Sequence, residues 1–123
     1  MDDKVNLARA LASLDKPFSP RIVGYMNDYK LQVAKTKGEF VWHAHPETDD
    51  FFLVVSGELT IQLRDREVVL GPGEMYVVPR GVEHCPRSEA GAEILLIEPV
   101  GTVNTGDAPP GPLTAEERPL VGG

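Results

Sequence analysis

Cysteine is nearly absent from this chain of 123 residues. Cys85 stands alone, so no disulfide can form within the chain, and a buried, inert thiol is the reading it takes. A lone thiol suits a reducing compartment, and the N-terminal MDDKVNLARA is acidic, without the charged-then-apolar pattern of an export signal. The expected location is therefore the cytoplasm. Basic residues are scarce as well: 12 Lys and Arg against 19 Asp and Glu give a net charge of -7. With no basic run and no aromatic–basic interleaving, nucleic acid is excluded as the expected partner. No apolar run approaches the ~18 residues of a membrane-crossing helix, so no membrane partner is expected.

Glycine and proline are plentiful, 12 and 11 respectively, and they punctuate the chain at short intervals. One domain of ordinary size is expected, divided into an N-terminal helix or arm over 1–20, a β region over 21–100 and a Pro/Gly-rich tail over 101–123. VNLARALASL (5–14) reads as a short helix, broken by Pro17 and Pro20. From Arg21 to Glu98 the segments RIVGYM, YKLQVAKTK, EFVWHAH, DFFLVVS, LTIQL, EVVL, EMYVV, EHCPR and AEILLIE read as about nine short strands bounded by turn residues. So little helix leaves no room for βαβ units, and an antiparallel sandwich or closed barrel is expected. The tail is read as a surface segment from Gly106 onward. In it Thr102, Asn104 and Thr105 are expected to make turn hydrogen bonds rather than chemistry.

Two of the three histidines lie in WHAHPETDD (42–50). Side chains alternate across a strand, so His43 and His45 share a face with Val41, opposite Trp42 and Ala44. If DFFLVVS runs back alongside, Asp50 at its start comes near them. Two imidazoles and a carboxylate form a donor set that leaves coordination positions open. His-x-His alone is weak evidence, and His84 lies about forty residues further on.

The segment GEFVWHAHPETDDFFLVVSG (38–57) resembles the first signature of the cupin superfamily, with Gly38, the His43–His45 pair and Gly57 in place and Asp50 where that family usually has Glu. GEMYVVPRGVEH (73–84) resembles the second, through Gly73, Pro79, Gly81 and His84. Ser88 stands where the second signature often ends in Asn. The resemblance is to a small single-domain bacterial cupin. It implies an all-β fold: a double-stranded β-helix (jelly-roll) barrel with a short N-terminal helix, the second histidine segment lying beside the first. It further implies that His43, His45, Asp50 and His84 hold one divalent transition metal: Fe, Mn, Co, Ni or Zn. Asp is one methylene shorter than Glu, setting its oxygens back by ~1.5 Å; Asp50 is therefore expected to reach the ion through a water.

The functional expectation is a metal-dependent enzyme acting on a small organic molecule, of dioxygenase, isomerase or lyase type. The alternative is a non-enzymatic small-molecule binding or sensor cupin. Phe52 and Val54, sharing a face with Asp50, and Val41 are expected around the pocket. Tyr76 is the possible catalytic proton donor, with a packed barrel tyrosine as its plainer reading. Glu47 and Asp49 belong to the loop, Arg80 and Glu83 to a surface pair, and Trp42 to the outside of the barrel. Beyond Arg80, Lys35 and Lys37, no cationic cluster exists to cradle a phosphate. The resemblance and the doubly apolar DFFLVV imply a homodimer.

Overall fold

The computed structural model describes residues 3–120. Its elements are α1 (Leu7–Ala12), β1 (Arg21–Met26), β2 (Tyr29–Glu39), β3 (Asp50–Gly57), β4 (Leu59–Leu63), β5 (Glu67–Leu70), β6 (Met75–Val78) and β7 (His84–Pro99). All strand pairs are antiparallel. One sheet path runs β1-β2-β7-β3-β6, and β4 joins it through β7 while pairing with β5 on its other side. The expected jelly-roll barrel with its short helix is what forms.

Alternation along the strands builds the core. Phe52 and Val54 on β3, Leu59, Ile61 and Leu63 on β4, and Ile94 on β7 point inward and are buried with Ala34, Leu70, Val78 and Ala92. The outer face carries a second, smaller cluster, in which Leu11, Ala10 and Leu14 pack on Val33. The Asn6 side chain caps α1 by accepting from the Arg9 amide at 3.0 Å, and Lys35 Nζ donates to Leu14 O at 2.7 Å at the helix's far end.

Three of the nine expected strand segments are corrected, leaving seven strands. EHCPR and AEILLIE form one strand, β7, whose first part pairs with β4 and whose second part pairs with β3. The polar SEAG between them lets the strand pass from one partner to the other; β2 stays paired alongside for much of its length. EFVWHAH forms no ladder beyond Glu39, where β2 ends. Residues 40–49 touch the sheet through a single bridge, His43 to His84, and their backbone groups find partners one at a time. Phe40 N donates to Pro86 O at 2.9 Å, and Gly81 N donates to His45 O at 2.9 Å.

The tail also departs from a plain surface segment. Ile22 N donates to Arg118 O at 2.7 Å, Leu120 N donates to Ile22 O at 2.8 Å, and Asp107 N donates to Ala44 O at 3.0 Å. Thr105 is 2% exposed, its hydroxyl 3.1 Å from that of Thr114. Asn104 bonds across the tail and not within a turn: its amide donates to Leu113 O, and its oxygen accepts from Ala115 N.

Candidate metal centre

The fold brings His84 back to the histidine pair. His84 opens β7, and the His43–His84 bridge is closed by two backbone hydrogen bonds, His43 N to His84 O at 3.0 Å and His84 N to His43 O at 2.9 Å. The turn before β7 requires Gly81, whose φ of 78 lies in the left-handed region that side chains disfavour. Asp50 opens β3 opposite Val78, facing inward like Phe52 and Val54. All four side chains are buried, and one donor atom from each lies within 4.8 Å of every other.

Hydrogen bonds at the outer ring nitrogens orient the imidazoles. His43 Nδ1–H donates to Val41 O at 2.8 Å and His84 Nδ1–H donates to Val82 O at 3.0 Å. In a neutral ring this leaves a lone pair on Nε2, facing the cluster. Yet Nε2 of His84 lies 3.0 Å from Asp50 Oδ2, and Nε2 of His45 lies 3.3 Å from the same oxygen. Two acceptors meet at hydrogen-bond distance in a buried place, an arrangement that needs a shared cation, either protons or a metal. Donors about 2.1 Å from one ion and at right angles to each other stand about 3.0 Å apart. The donor set thus fits a transition metal in kind and spacing. Asp50, at the start of a strand of the barrel wall, points inward and meets both histidine nitrogens directly.

The electrostatics follow from burial and these contacts. Burial and the neighbouring His84 hold His43 down at about 4. For His45 burial acts the same way, but the hydrogen bond and charge of Asp50 outweigh it and leave its pKa above the usual value. Burial opposes ionisation of Asp50, and the hydrogen bonds and charges of His45 and His84 overcome this, bringing it to about 2.

His43, His45 and Asp50, though not His84, lie in the wall of a cavity of about 50 Å³ lined also by Phe18, Phe40, Phe52, Ile94, Leu96 and Glu98. On the same measure one water needs ~10–15 Å³, so the space suits a few heavy atoms at a time. Phe18, at the unusual φ of 56 for an aromatic, sets its ring 5.0 Å from that of Phe40. Of the residues expected around the pocket, Phe52 lines it, whereas Val54 lies deeper in the core and Val41 is not part of the wall.

Glu98 and Lys30 were not anticipated. They pair across β2 and β7 on the inward face, and the β3–β7 register, Phe51 opposite Ile97, carried one residue on, sets Glu98 beside Asp50. Burial and the Asp50 charge raise Glu98 to about 7, against the pull of Lys30. Lys30, 1% exposed, has its Nζ 3.5 Å from Glu98 Oε1 and 2.7 Å from Glu117 Oε2, and donates to Thr102 O at 2.9 Å. A strand-period pattern with Lys30 and Gln32 on the inward face was the available signal: polar residues directed into a barrel mark something to be bound or paired.

Other expectations resolve separately. Tyr76 packs against the barrel core, with its hydroxyl 3.5 Å from Arg66 Nη2, and is not among the cavity's lining residues. Arg80 and Glu83 do not pair. Arg80 N donates to Asp49 Oδ1 at 2.9 Å, while Glu83 faces Arg64 at 3.3 Å, because the turn at Gly81 directs them apart. Trp42 lies outside the barrel, half-buried beneath the Arg64 guanidinium at 3.8 Å from its ring centre. Cys85 is fully buried, and burial raises its thiol to about 11, so it is unreactive.

Comparison with known proteins agrees with this geometry. Residues 30–98 match the family model described as a cupin domain. The protein YdbB of Bacillus subtilis (strain 168) is 35% identical over 77 residues, which cover 62% of this chain and 68% of that protein. The crystal structure of a cupin-2 domain containing protein from Shewanella frigidimarina is 43% identical, with a TM-score of 0.76 over 77% of this chain and 93% of the other. Hydroquinone 1,2-dioxygenase from Sphingomonas sp. TTNP3, solved with 4-hydroxybenzoate bound, shares the fold at 20% identity, with a TM-score of 0.64 over 77% of this chain and 74% of that one.

Proposed function

This chain belongs to the cupin family, and from that premise we propose that it is a metal-dependent enzyme acting on a small organic molecule. The observation that carries the reading is the buried cluster of His43, His45, His84 and Asp50, three of which, His43, His45 and Asp50, line a largely apolar cavity. These four residues would hold one divalent ion among Fe, Mn, Co, Ni and Zn, with Asp50 as a direct ligand on account of its 3.0 and 3.3 Å contacts. A metal in such a set supplies Lewis acidity and open positions for a small ligand.

The remaining work falls to the chain. The rings of Phe18, Phe40 and Phe52 exclude water and restrict the size of what enters. Glu98 stands at the wall with a carboxyl that changes protonation near neutrality, which suits a group that takes or returns a proton at its own oxygens. Lys30 fixes its position. The reaction class stays within the dioxygenase, isomerase and lyase types. The test is turnover of small dicarbonyl, phenolic and organic-acid compounds, followed by oxygen consumption and product formation, that depends on added metal and disappears in His84→Ala.

A second reading, a small-molecule binding or sensor cupin, draws support from the small volume of the cavity and the tail laid against its rim. Saturable ligand stabilisation with the ligand recovered intact would favour it. We also propose a homodimer, supported by the exposed Met75 and Val77 on β6 beside outward-facing Phe51 and Leu53; sedimentation tests it. Placement in the cytoplasm rests on the lone thiol. Among the described residues no helix is long and apolar enough to cross a membrane.

A further inference from the structure

His43 and His45 belong to the part of the site that no strand ladder holds, bridged to the sheet only at His43, and the residue between them is held from elsewhere. Asp107 grips Ala44 on both sides: Asp107 Oδ1 accepts from Ala44 N at 2.8 Å, and Asp107 N donates to Ala44 O at 3.0 Å. Gly106 makes the approach possible. A Cβ there would fall 2.3 Å from Ala44 O and 3.0 Å from His43 Cδ2, and its φ of 54 is itself one that side chains rarely adopt. Asn104 lines the cavity, and Lys30 anchors the same segment through Thr102 O and Glu117. The tail is thus tied at Thr102, at Asp107, at Glu117 and at the Ile22–Pro119 bridge. It lies outside residues 30–98, which the family model covers.

We propose that Asp107 is a positioning residue: the C-terminal segment clamps Ala44 and thereby holds His43 and His45 in the geometry that binds metal. Without the clamp, the segment 40–49 keeps only the His43–His84 bridge and isolated hydrogen bonds. Two of the four donors then gain freedom that must be lost again on binding. The sheet-borne donors, Asp50 and His84, are unaffected.

This proposal rests on the metal-site reading, so the experiment separates the two. Full-length protein is stripped of metal and titrated with Co(II) against a chromophoric chelator, and the thermal midpoint of the metal-free form is recorded for each variant. Asp107→Ala is expected to weaken Co(II) binding by ~10–100-fold with little change in the metal-free midpoint. Asp107→Asn, which keeps the acceptor oxygen, is expected to restore affinity to near the parent value. Gly106→Ala, which pushes on Ala44 O from the other side, weakens binding again and carries the test should Asp107→Ala fail to fold. His84→Ala serves as the reference for a lost donor. If the parent protein does not bind Co(II), the metal reading falls. If the parent binds, His84→Ala does not, and Asp107→Ala and Gly106→Ala bind like the parent, the clamp is overturned and the metal reading stands. Asp107→Asn as weak as Asp107→Ala would contradict the hydrogen bond as its cause.

Discussion

The two halves of the candidate site are held by different means. Asp50 and His84 open regular strands, β3 and β7, and each is fixed by a ladder that also builds the core. His43 and His45 sit on residues 40–49, where backbone groups are satisfied by a bridge, a turn amide and a tail carboxylate. Ladder hydrogen bonds are cooperative with the fold, so half the site is as rigid as the barrel. The other half is rigid only while its separate attachments last. Stability and metal affinity should therefore respond to different substitutions.

The largest expected effect on stability lies in the ladder region. Ile61, fully buried in the core, should cost ~2–5 kcal/mol when replaced by Ala, measured by denaturant unfolding of the metal-free protein. Comparable damage to stability from Asp107→Ala would erase the distinction between the halves. Next comes Asp50→Ala, expected to weaken metal binding by ~10–100-fold, about as much as His45→Ala. A much milder loss would return Asp50 to the water-bridged role.

The dependence on pH sharpens the contrast. His45, raised above its usual pKa, meets protons before His43 as pH falls, since His43, held at about 4, stays neutral and available. Metal affinity should begin to drop already near neutrality, and a competition titration across pH shows whether it does. Glu98 has a folded pKa of about 7, above its unfolded value. Its contribution is present below the unfolded pKa and is lost as pH rises through about 7. Glu98→Gln should thus stabilise the metal-free protein more at pH ~8 than at pH ~5, by about 1–3 kcal/mol. An equal effect at both pH values would mean that burial does not control this carboxyl. The smallest effect is expected at Trp42→Leu, where loss of the Arg64 contact should cost ~0.5–1 kcal/mol.

The barrel could be read from the sequence because turn residues fall at strand intervals and inward residues alternate. The four donors could be read because His-x-His, the later His84 and the start of DFFLVVS each stand in a recognisable place. What escaped was set by tertiary partners. EFVWHAH has strand composition, yet it meets β7 only at Pro86 and His84 and is held elsewhere by Gly81 and Asp107, without a continuous ladder. SEAG resembles a turn, but β2 pairs on either side of it, at Ser88 and from Ala92 on, and Glu89–Gly91 form a bulge within β7. Tyr76 shares an inward-facing strand with Val78, and only the packing shows that its hydroxyl turns to Arg66. The tail looked like a surface segment because composition records its prolines and not the carboxylates of Asp107 and Glu117 that tie it down.

The central claim is tested most directly by the metal content of protein purified without chelator or nickel resin. The account predicts close to one divalent transition metal per chain, and its near-complete loss in the folded His43→Ala/His45→Ala double variant. A parent protein that carries and takes up no metal, or a double variant that retains the parent's content, would contradict it.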